Sequence, residues 1–506
     1  MAHRSFTSFA ALTAAFPVTI AAQTVVVGPG EPLTGADLDA GVFNSQPFVL
    51  GPETTFEIAG GTFDVLSDDS ELPFDMRSST ILATDAGRVE TSVLENVSLI
   101  IDGGEDVTAD IVNATCVLVS GSISELRANA TTFLMTGGSA FDLLFNELLL
   151  DQSGSTVQID GGTIDSLFCR NKADITINGG EIDDVGTTEF TSSIVFNGGN
   201  IEEITVTGVL FPQSGQPAER PELFVTDGSI GSLVMIEFER FVMTGGEVTG
   251  FVDFIGDFGS KLRPSTVDLL GGAIADQVTG SEALSITIDG TILEIGAFLP
   301  STIDGNSSIR MLSGRVSGNG LITDFAGVRL AGGIVDNFVD ANGSWVSVTG
   351  GELRDGILGG EITTFAGGII SGPIVVLDTD TLILNVESVA IDGIPLPLVP
   401  GQPVEIPERN GELLTAVLAD GSPFMLELSE NGPSGDSVPA LARVVALQGD
   451  RACVGDLDLD GSVTLSDVRP LLGAFLVDDR ACDQNGDGLC NPADFNAWII
   501  NANAGC

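Results

Sequence analysis

The stretch Val157–Ile164 reads VQIDGGTI, and the stretch Ile175–Ile182 repeats its pattern as ITINGGEI. In both, apolar side chains occupy alternate positions before a Gly-Gly pair, and another apolar residue follows two positions after it. Alternation with a period of two is typical of a β-strand that buries one face. Because glycine permits positive φ and the close approach of a neighbouring chain, the Gly-Gly pair predicts a corner between two strands.

This strand–corner–strand unit recurs from about residue 55 to about residue 370, which predicts a repeat architecture. One unit cannot bury its own apolar face, whereas units stacked about 4.8 Å apart share a continuous core. The spacing varies, because Gly137 and Gly161 are 24 positions apart whereas Gly350 and Gly367 are 17 apart. A left-handed solenoid requires a strict hexapeptide repeat, so the spacing favours a right-handed parallel β-helix.

The repeat pattern stops near residue 375. Residues 376–450 contain short alternating segments separated by prolines, which predicts a small β cap over the last repeat, followed by a linker. The predicted fold class is mainly β: a parallel β-helix or solenoid at residues 23–375, the β cap and linker at 376–450, and a small α module at 451–506.

The last segment contains a twelve-residue calcium-loop pattern twice, and the second copy lies 27 positions after the first. Calcium takes six to eight oxygen ligands, which such loops supply from positions 1, 3, 5, 7, 9 and 12 around a turn glycine at position 6. The candidate metal ligands at those six positions are Asp456, Asp458, Asp460, Ser462, Thr464 and Asp467 in the first copy, and Asp483, Asn485, Asp487, Leu489, Asn491 and Asp494 in the second. Two bound Ca²⁺ ions are therefore predicted.

An apolar pattern at i, i+3, i+4 and i+7 follows each loop and predicts one short amphipathic helix per copy. The residues of the two apolar stripes are Val468, Leu471, Leu472 and Phe475, and Phe495, Trp498, Ile499 and Ala502. Asn491 before Pro492 is a typical helix N-cap followed by proline at the first helical position.

The segment has two loop–helix halves, each without an entering helix and each with Asp at position 12. In these features it resembles a dockerin of the type I-like class. The final stretch Asn496–Cys506 ends in Gly-Cys and resembles the GC-ended dockerin-like anchors of secreted bacterial proteins. The resemblance covers roughly residues 451–506. It implies calcium-dependent binding to a cohesin-like protein or a cell-surface scaffold.

Four of the six cysteines lie in this terminal segment, and their clustering in an exported chain predicts two disulfides. Three connectivities are open, of which Cys453–Cys506 with Cys482–Cys490 is preferred. Zinc is the competing interpretation, but the spacing lacks a paired C-x-x-C motif and the segment has no His. Cys116 and Cys169 are expected to be small buried side chains.

The N-terminus predicts export. His3 and Arg4 precede an apolar stretch and a small-residue cleavage site near Ala22, as in a secretory signal peptide at residues 1–22. An extracellular or cell-surface location is therefore expected. No later segment has the apolar length of a transmembrane helix.

The charge balance is strongly acidic, with 71 Asp and Glu against 19 Lys and Arg. Nucleic acids and anionic membranes are bound through a positive face, so neither is an expected partner.

The composition also argues against catalysis. His3 is the single His of the chain, and Tyr does not occur. A polysaccharide lyase needs a base such as Lys, Arg, His or Tyr beside the proton it removes. Lys occurs only at Lys172 and Lys261, and Arg is sparse and scattered. A pair of carboxylates could cleave a glycosidic bond, and adjacent acids occur at Asp68–Asp69, Asp183–Asp184 and Glu202–Glu203. With so many acids such pairs are expected by chance, so no catalytic residue is assigned.

The sequence thus predicts a secreted, non-catalytic β-helix protein of a surface or matrix, attached through a calcium-binding dockerin-like module. The alternative is a component of a cohesin–dockerin type assembly that degrades or binds polysaccharide, which would make polysaccharide a further ligand.

Overall fold

The structure, a computed structural model, is mainly β with 7% helix, and its dominant feature is a parallel β-solenoid, as predicted. The residues that it describes are 24–27, 48–49, 55–59, 62–65, 74–75, 80–84, 88–91, 94–95, 98–145, 154–170, 172–188, 192–208, 220–256, 265–281, 284–293, 297–299, 307–318, 320–323, 327–341, 343–431, 435–449, 455–458, 463–476, 480–485 and 489–504. The predicted signal peptide at residues 1–22 lies outside them. The chain divides into two compact units, Met1–Ser232 and Leu233–Cys506.

The first unit consists of short strands in chain order, the last of which runs on to Ile236. They are β1 (Thr24–Val27), β2 (Phe48–Val49), β3 (Thr55–Ala59), β4 (Thr62–Val65), β5 (Phe74–Asp75), β6 (Thr80–Thr84), β7 (Arg88–Thr91), β8 (Leu94–Glu95), β9 (Ser98–Val112), β10 (Thr115–Asn129), β11 (Thr132–Met135), β12 (Ser139–Phe145), β13 (Ser155–Ile159), β14 (Thr163–Arg170), β15 (Ala173–Ile177), β16 (Glu181–Thr188), β17 (Ser192–Phe196), β18 (Asn200–Thr207), β19 (Glu222–Val225) and β20 (Ser229–Ile236).

Parallel pairing between successive repeats builds this unit. Strands β11, β13, β15, β17 and β19 form one ladder, and β10, β12, β14, β16 and β18 form a second. Val157, Ile175 and Ile194 are register partners in the first ladder, and each is at most 1% exposed. The apolar residues of the repeat therefore stack into one core, as the alternation predicts.

The corners of these repeats are formed by the Gly-Gly pairs. The second glycine of each pair has positive φ, with 100° at Gly162, 105° at Gly180 and 102° at Gly199. A Cβ added to Gly180 would lie 2.9 Å from the carbonyl oxygen of Gly162, which belongs to the preceding corner. Both the left-handed backbone and the close stacking of repeats therefore require glycine here.

A ladder of polar side chains precedes these corners. Asn178 donates from Nδ2 to Asp160 Oδ1 at 2.7 Å, and Asn197 donates from Nδ2 to Asn178 Oδ1 at 2.9 Å. Thr226 continues the ladder by donating from Oγ1 to Asn197 Oδ1 at 2.9 Å. The hydrogen bonds from Asn178 and Gln158 lower the pKa of Asp160. Side-chain amides thus connect neighbouring repeats in the same direction as the backbone does.

The second unit contains the remaining strands and all the described helices. The strands are β21 (Arg240–Met243), β22 (Glu247–Val248), β23 (Val252–Ile255), β24 (Ser265–Leu269), β25 (Ala273–Ile274), β26 (Val278–Ser281), β27 (Leu284–Ile288), β28 (Ile292–Leu293), β29 (Ala297–Leu299), β30 (Ser308–Met311), β31 (Arg315–Val316), β32 (Leu321–Thr323), β33 (Gly327–Leu330), β34 (Ile334–Val335), β35 (Val339–Asp340), β36 (Trp345–Leu353), β37 (Ile357–Leu358), β38 (Ile362–Ile370), β39 (Ile374–Val375), β40 (Thr381–Ile391), β41 (Ile394–Pro395), β42 (Val404–Glu405), β43 (Asn410–Leu418), β44 (Pro423–Ser429) and β45 (Arg443–Leu447). The helices are α1 (Val468–Leu476) and α2 (Pro492–Ala504), with 3-10 turns at Leu465–Asp467 and Arg480–Cys482.

The repeats of the second unit build three parallel ladders. The first contains β21, β24, β27, β30, β33, β36, β38, β40 and β45. The second contains β22, β25, β28, β31, β34 and β36. The third contains β23, β26, β29, β32, β35, β37 and β39.

Antiparallel pairing begins where the repeat pattern of the sequence stops. The second half of β40 pairs antiparallel with β41 and β43, and β43 pairs antiparallel with β44. The first half of β40 still belongs to the first ladder, and β45 pairs with it in parallel. Residues 376–450 therefore both extend the solenoid and add a β-hairpin to its end.

We expect Gly351→Ala to destabilise the solenoid more than Gly421→Ala. Both glycines have positive φ, 85° and 89°, so alanine costs about 1–2 kcal/mol of backbone strain at either position. A Cβ on Gly351 would also lie 2.9 Å from the Gly332 carbonyl oxygen, whereas Gly421 has no atom within 4 Å of that position. The clash adds about 1–3 kcal/mol. Denaturant unfolding of the two variants checks this, and equal shifts would contradict it.

We also expect stability to fall as the pH rises from about 4 to about 6, because of Asp380. Burial, together with the charges of Glu361 and Asp378, raises the pKa of Asp380 to about 6, although a backbone hydrogen bond from Leu377 lowers it. The folded state therefore binds the proton of Asp380 more tightly than the unfolded chain does. Ionisation of Asp380 consequently destabilises the folded state. Asp380→Asn should raise the denaturation midpoint at pH 7.5 but not at pH 3.5. Asp355→Asn is the control for the loss of one exposed charge, because Asp355 is not among the groups that raise the pKa of Asp380.

Candidate metal centre

Three carboxylates of the first calcium-loop pattern converge in the structure. One ligand oxygen from each of Asp456, Asp458 and Asp467 lies within 4.8 Å of the other two. Asp456 is 3% exposed and Asp467 is fully buried, whereas Asp458 is half-buried. Three negative charges at such separations repel one another strongly, and a divalent cation with oxygen ligands would relieve that repulsion.

The remaining predicted ligands of this loop are placed only in part. Thr464 is exposed, and its Oγ1 lies 2.7 Å from Ser466 Oγ. Asp460 and Ser462 lie outside the described residues.

Asp467, at loop position 12, also organises the loop itself. Its Oδ1 accepts hydrogen bonds from the backbone N–H groups of Leu457 at 2.6 Å and Asp458 at 3.1 Å. Its Oδ2 accepts from the N–H of Thr464 at 2.8 Å. One carboxylate thus joins the beginning of the loop to the start of the helix that follows it.

Asp494 makes the corresponding contacts in the second copy. Its Oδ1 accepts from the N–H groups of Gln484 at 2.9 Å and Asn485 at 3.1 Å, and its Oδ2 accepts from the N–H of Asn491 at 2.9 Å. Each of these residues lies 27 positions after its counterpart in the first loop. The repeat in the sequence is therefore a repeat of hydrogen-bonding geometry.

The two position-12 residues are also members of capping boxes. In each copy the position-9 residue, Thr464 or Asn491, precedes a helical turn, and the acid three positions later accepts its backbone N–H. Asn491 Oδ1 accepts in turn from the N–H of Ala493 at 2.9 Å, and α2 begins at Pro492, as predicted. The pattern Thr/Asn-x-x-Asp is the sequence signal for this second role of the acids.

These contacts restrict how position 12 would hold an ion. A carboxylate has about four acceptor sites, and Asp467 uses three of them on backbone N–H groups. The described arrangement therefore leaves room for one bond from Asp467 to a metal, rather than the two of a full bidentate ligand. Burial raises the pKa of Asp467, the hydrogen bonds from the backbone lower it, and the charge of Asp458 raises it further.

The second loop is less acidic over its described part. Asp494 is fully buried, Asp483 is half-buried, and Asn485 is exposed. Leu489 is 65% exposed, and its predicted contribution is a backbone carbonyl. Asp487 lies outside the described residues.

A disulfide joins Cys482 to Cys490 across the second loop, with 5.5 Å between the two Cα atoms, as preferred from the sequence. Cys453 and Cys506 lie outside the described residues, so their pairing stays a prediction. Cys116 and Cys169 are buried free thiols, as expected. Burial raises the pKa of both, that of Cys116 to about 12.

The two loop–helix halves share a small apolar core. Leu457, Leu471 and Trp498 form its buried centre, and Trp498 donates from Nε1 to the carbonyl oxygen of Gly455 at 3.1 Å. The predicted helix stripes are partly confirmed. Leu472 is 51% exposed and its counterpart Ile499 is 42% exposed, because these i+4 positions point away from this core in both helices.

The candidate carboxylate pairs of the solenoid are exposed surface acids. Asp183, Asp184, Glu202 and Glu203 lie on the outer side of the second ladder of the first unit, where Asp184 and Glu203 are register partners. The pKa of their neighbour Asp165 is raised by desolvation and by the carboxylate of Asp183. Asp68 and Asp69 lie outside the described residues.

Comparisons with protein-family models, with curated proteins and with solved structures find no match for this chain. Neither α1 nor α2, nor any other helix of the described residues, is long and apolar enough to cross a membrane.

We expect the native protein to show no reactive thiol at pH 8 and the unfolded, unreduced protein to show two. Cys116 and Cys169 are buried and their pKa values are raised, so they should react with a thiol reagent only after unfolding. Reagent titration in buffer and in denaturant measures both numbers. Four thiols in denaturant would contradict the predicted Cys453–Cys506 bond.

Proposed function

We propose that this protein is an exported, non-catalytic β-solenoid that is attached or displayed through a calcium-binding, dockerin-like module at residues 451–506. The observation that carries the proposal is the geometry that the two loops share. The same three backbone N–H groups meet the same position-12 carboxylate in each copy, and three acids converge in the first. Such a loop, with acids at positions 1, 3 and 12, offers the hard oxygen ligands that calcium prefers.

The ligands of the first site are the carboxylates of Asp456 and Asp458, one oxygen of Asp467, and the oxygens of Asp460, Ser462 and Thr464. Asp483, Asn485, Asp487, Leu489, Asn491 and Asp494 occupy the corresponding positions of the second. The ion neutralises the clustered acids, which fixes the loop and the start of the helix that follows it. The exposed face of α2, which includes Ile500, is then available to a cohesin-like protein or a cell-surface scaffold.

The solenoid serves in this proposal as a spacer or adhesive rod rather than as a catalyst. Its candidate acids, such as Asp183 and Asp184, are solvent-exposed, where a carboxyl group lacks the environment that tunes a general acid. Assay of the purified protein against a panel of polysaccharides for reducing ends and unsaturated uronates tests this. Turnover on any member would contradict the non-catalytic role.

We expect calorimetry on the whole exported chain to show two equivalents of bound Ca²⁺. Asp458→Ala should remove the equivalent of the first loop and Asp483→Ala that of the second, leaving one in each variant, because alanine offers no ligand oxygen. These positions are preferable to Asp467 and Asp494, which also close the loops and cap the helices. Asp355→Ala, which removes an exposed acid of the solenoid, is the matched control and should keep both equivalents. Absence of binding in the unmodified chain would overturn the proposal.

A further inference from the structure

The outer face of the last solenoid repeats becomes apolar at its end. One row of register partners on the first ladder of the second unit runs along this face: Thr287, Arg310, Arg329, Ser347, Thr364, Ile383 and Val445. The row begins with polar side chains, whereas Ile383 and Val445 at its end are 1% and 0% exposed. Outward apolar residues of a strand are buried only where something covers them.

The terminal module is what covers this face. Ile383 and Val445 form one apolar cluster with Trp345 and with Ala474 of α1. The helix lies very close, because a Cβ added to Gly473 would be 2.6 Å from the Cβ of Trp345. Gly473 therefore allows α1 to pack against the indole at a distance that no other residue would permit.

Polar contacts join the same two surfaces beside the first loop. Arg443, the first residue of the last ladder strand, donates from Nη1 to the backbone carbonyl of Asp458 at 3.0 Å and from Nη2 to Glu405 Oε1 at 2.8 Å. Arg469 of α1 forms an ion pair with Glu361 and donates to the carbonyl oxygen of Gly343 at 3.2 Å. A candidate calcium-loop residue is thus tied directly to the solenoid.

Apolar side chains of the second helix, α2, stay exposed to solvent, unlike those with which α1 packs against the solenoid. Ile500, which lies 27 positions after Gly473, is 68% exposed, and Phe495 of the same helix is 37% exposed. The second half reaches the apolar cluster through Ala481 and the Cys482–Cys490 disulfide rather than through its helix. The helix that docks is the one that follows the loop in which three carboxylates converge.

We propose that the first loop–helix half binds the solenoid of its own chain and that calcium in the first loop holds it there; this inference rests on the calcium binding proposed above. Without the ion, repulsion among Asp456, Asp458 and Asp467 opens the loop. The Asp458 carbonyl then leaves Arg443, and the start of α1 loses the carboxylate that caps it. Helix α1 separates from Trp345, and the apolar end of the outer face becomes exposed.

Tryptophan fluorescence of the whole chain tests this, because Trp345 and Trp498 are its two Trp residues. In a Trp498→Phe background Trp345, which is 6% exposed, is the single reporter of docking. A calcium chelator should shift its emission to the red, and added calcium should reverse the shift. Asp458→Ala in this background should stay red-shifted with or without calcium, whereas Asp483→Ala should respond as the background does.

A second variant measures the coupling between the docking of α1 and calcium binding without altering either Trp. Alanine is a better helix former than glycine, so Gly473→Ala would strengthen an undocked α1 and leave calcium binding at least as tight. If docking and binding are linked, the clash with Trp345 should instead weaken one of the two calcium equivalents about tenfold. Ile500→Ala, at the matching position of α2, should leave the affinities of both calcium sites unchanged.

The outcomes separate this inference from the proposed function. Suppose that the chain binds two equivalents of calcium but the chelator does not shift the emission of Trp345. That result would overturn the calcium-dependent docking and leave calcium binding intact. Equal calcium affinities of Gly473→Ala and the unmodified chain would lead to the same conclusion. No bound calcium would overturn both.

Discussion

Parallel backbone hydrogen bonding between successive repeats is the constraint on which the rest of the structure depends. It holds neighbouring strands about 4.8 Å apart at every level of the stack, the corners included. At that distance a corner that turns through positive φ has no room for a side chain, so glycine is required at Gly162, Gly180 and Gly199. The same spacing brings Asp160, Asn178 and Asn197 within hydrogen-bonding reach of one another. Inward positions are mostly apolar, with a few buried hydroxyl side chains such as Thr187 and Thr363, whereas outward positions vary until another part of the chain covers them.

The solenoid could be predicted from sequence because its signal is local. Alternation and Gly-Gly pairs such as Gly161–Gly162 lie within eight residues, and each copy carries the same information. The polar ladder could not be predicted in the same way, since it depends on which residues are register partners across loops of varying length. The covered outer face did leave a signal. Thr381–Leu384 reads TLIL and Arg443–Leu447 reads RVVAL, and the loss of alternation there is typical of strands buried on both sides.

The candidate metal centre was predictable in its residue types but not in the full role of each. Loop spacing places Asp467 at position 12 as a ligand. The structure adds that this acid receives three backbone N–H groups and caps a helical turn, so one side chain serves the fold and the site together. The spacing of the loop residues does not reveal these hydrogen bonds, because their donors are backbone groups rather than side chains. The docking of α1 was likewise hidden, since Gly473 and Ala474 resemble ordinary helix residues until Trp345 is placed against them.

The end of the first ladder is covered rather than open. A stack of parallel strands is in principle an endless template, because its last strand offers unpaired N–H and C=O groups to any similar strand. Here β45 is paired on both sides, in parallel with β40 and antiparallel with β42. Strand β42 spans only Val404–Glu405, and Pro403 and Pro407 flank it, so the outermost edge is short and has few donors. Strand β42 thus leaves a following parallel strand with far fewer backbone groups to pair with than an uncovered β45 would offer.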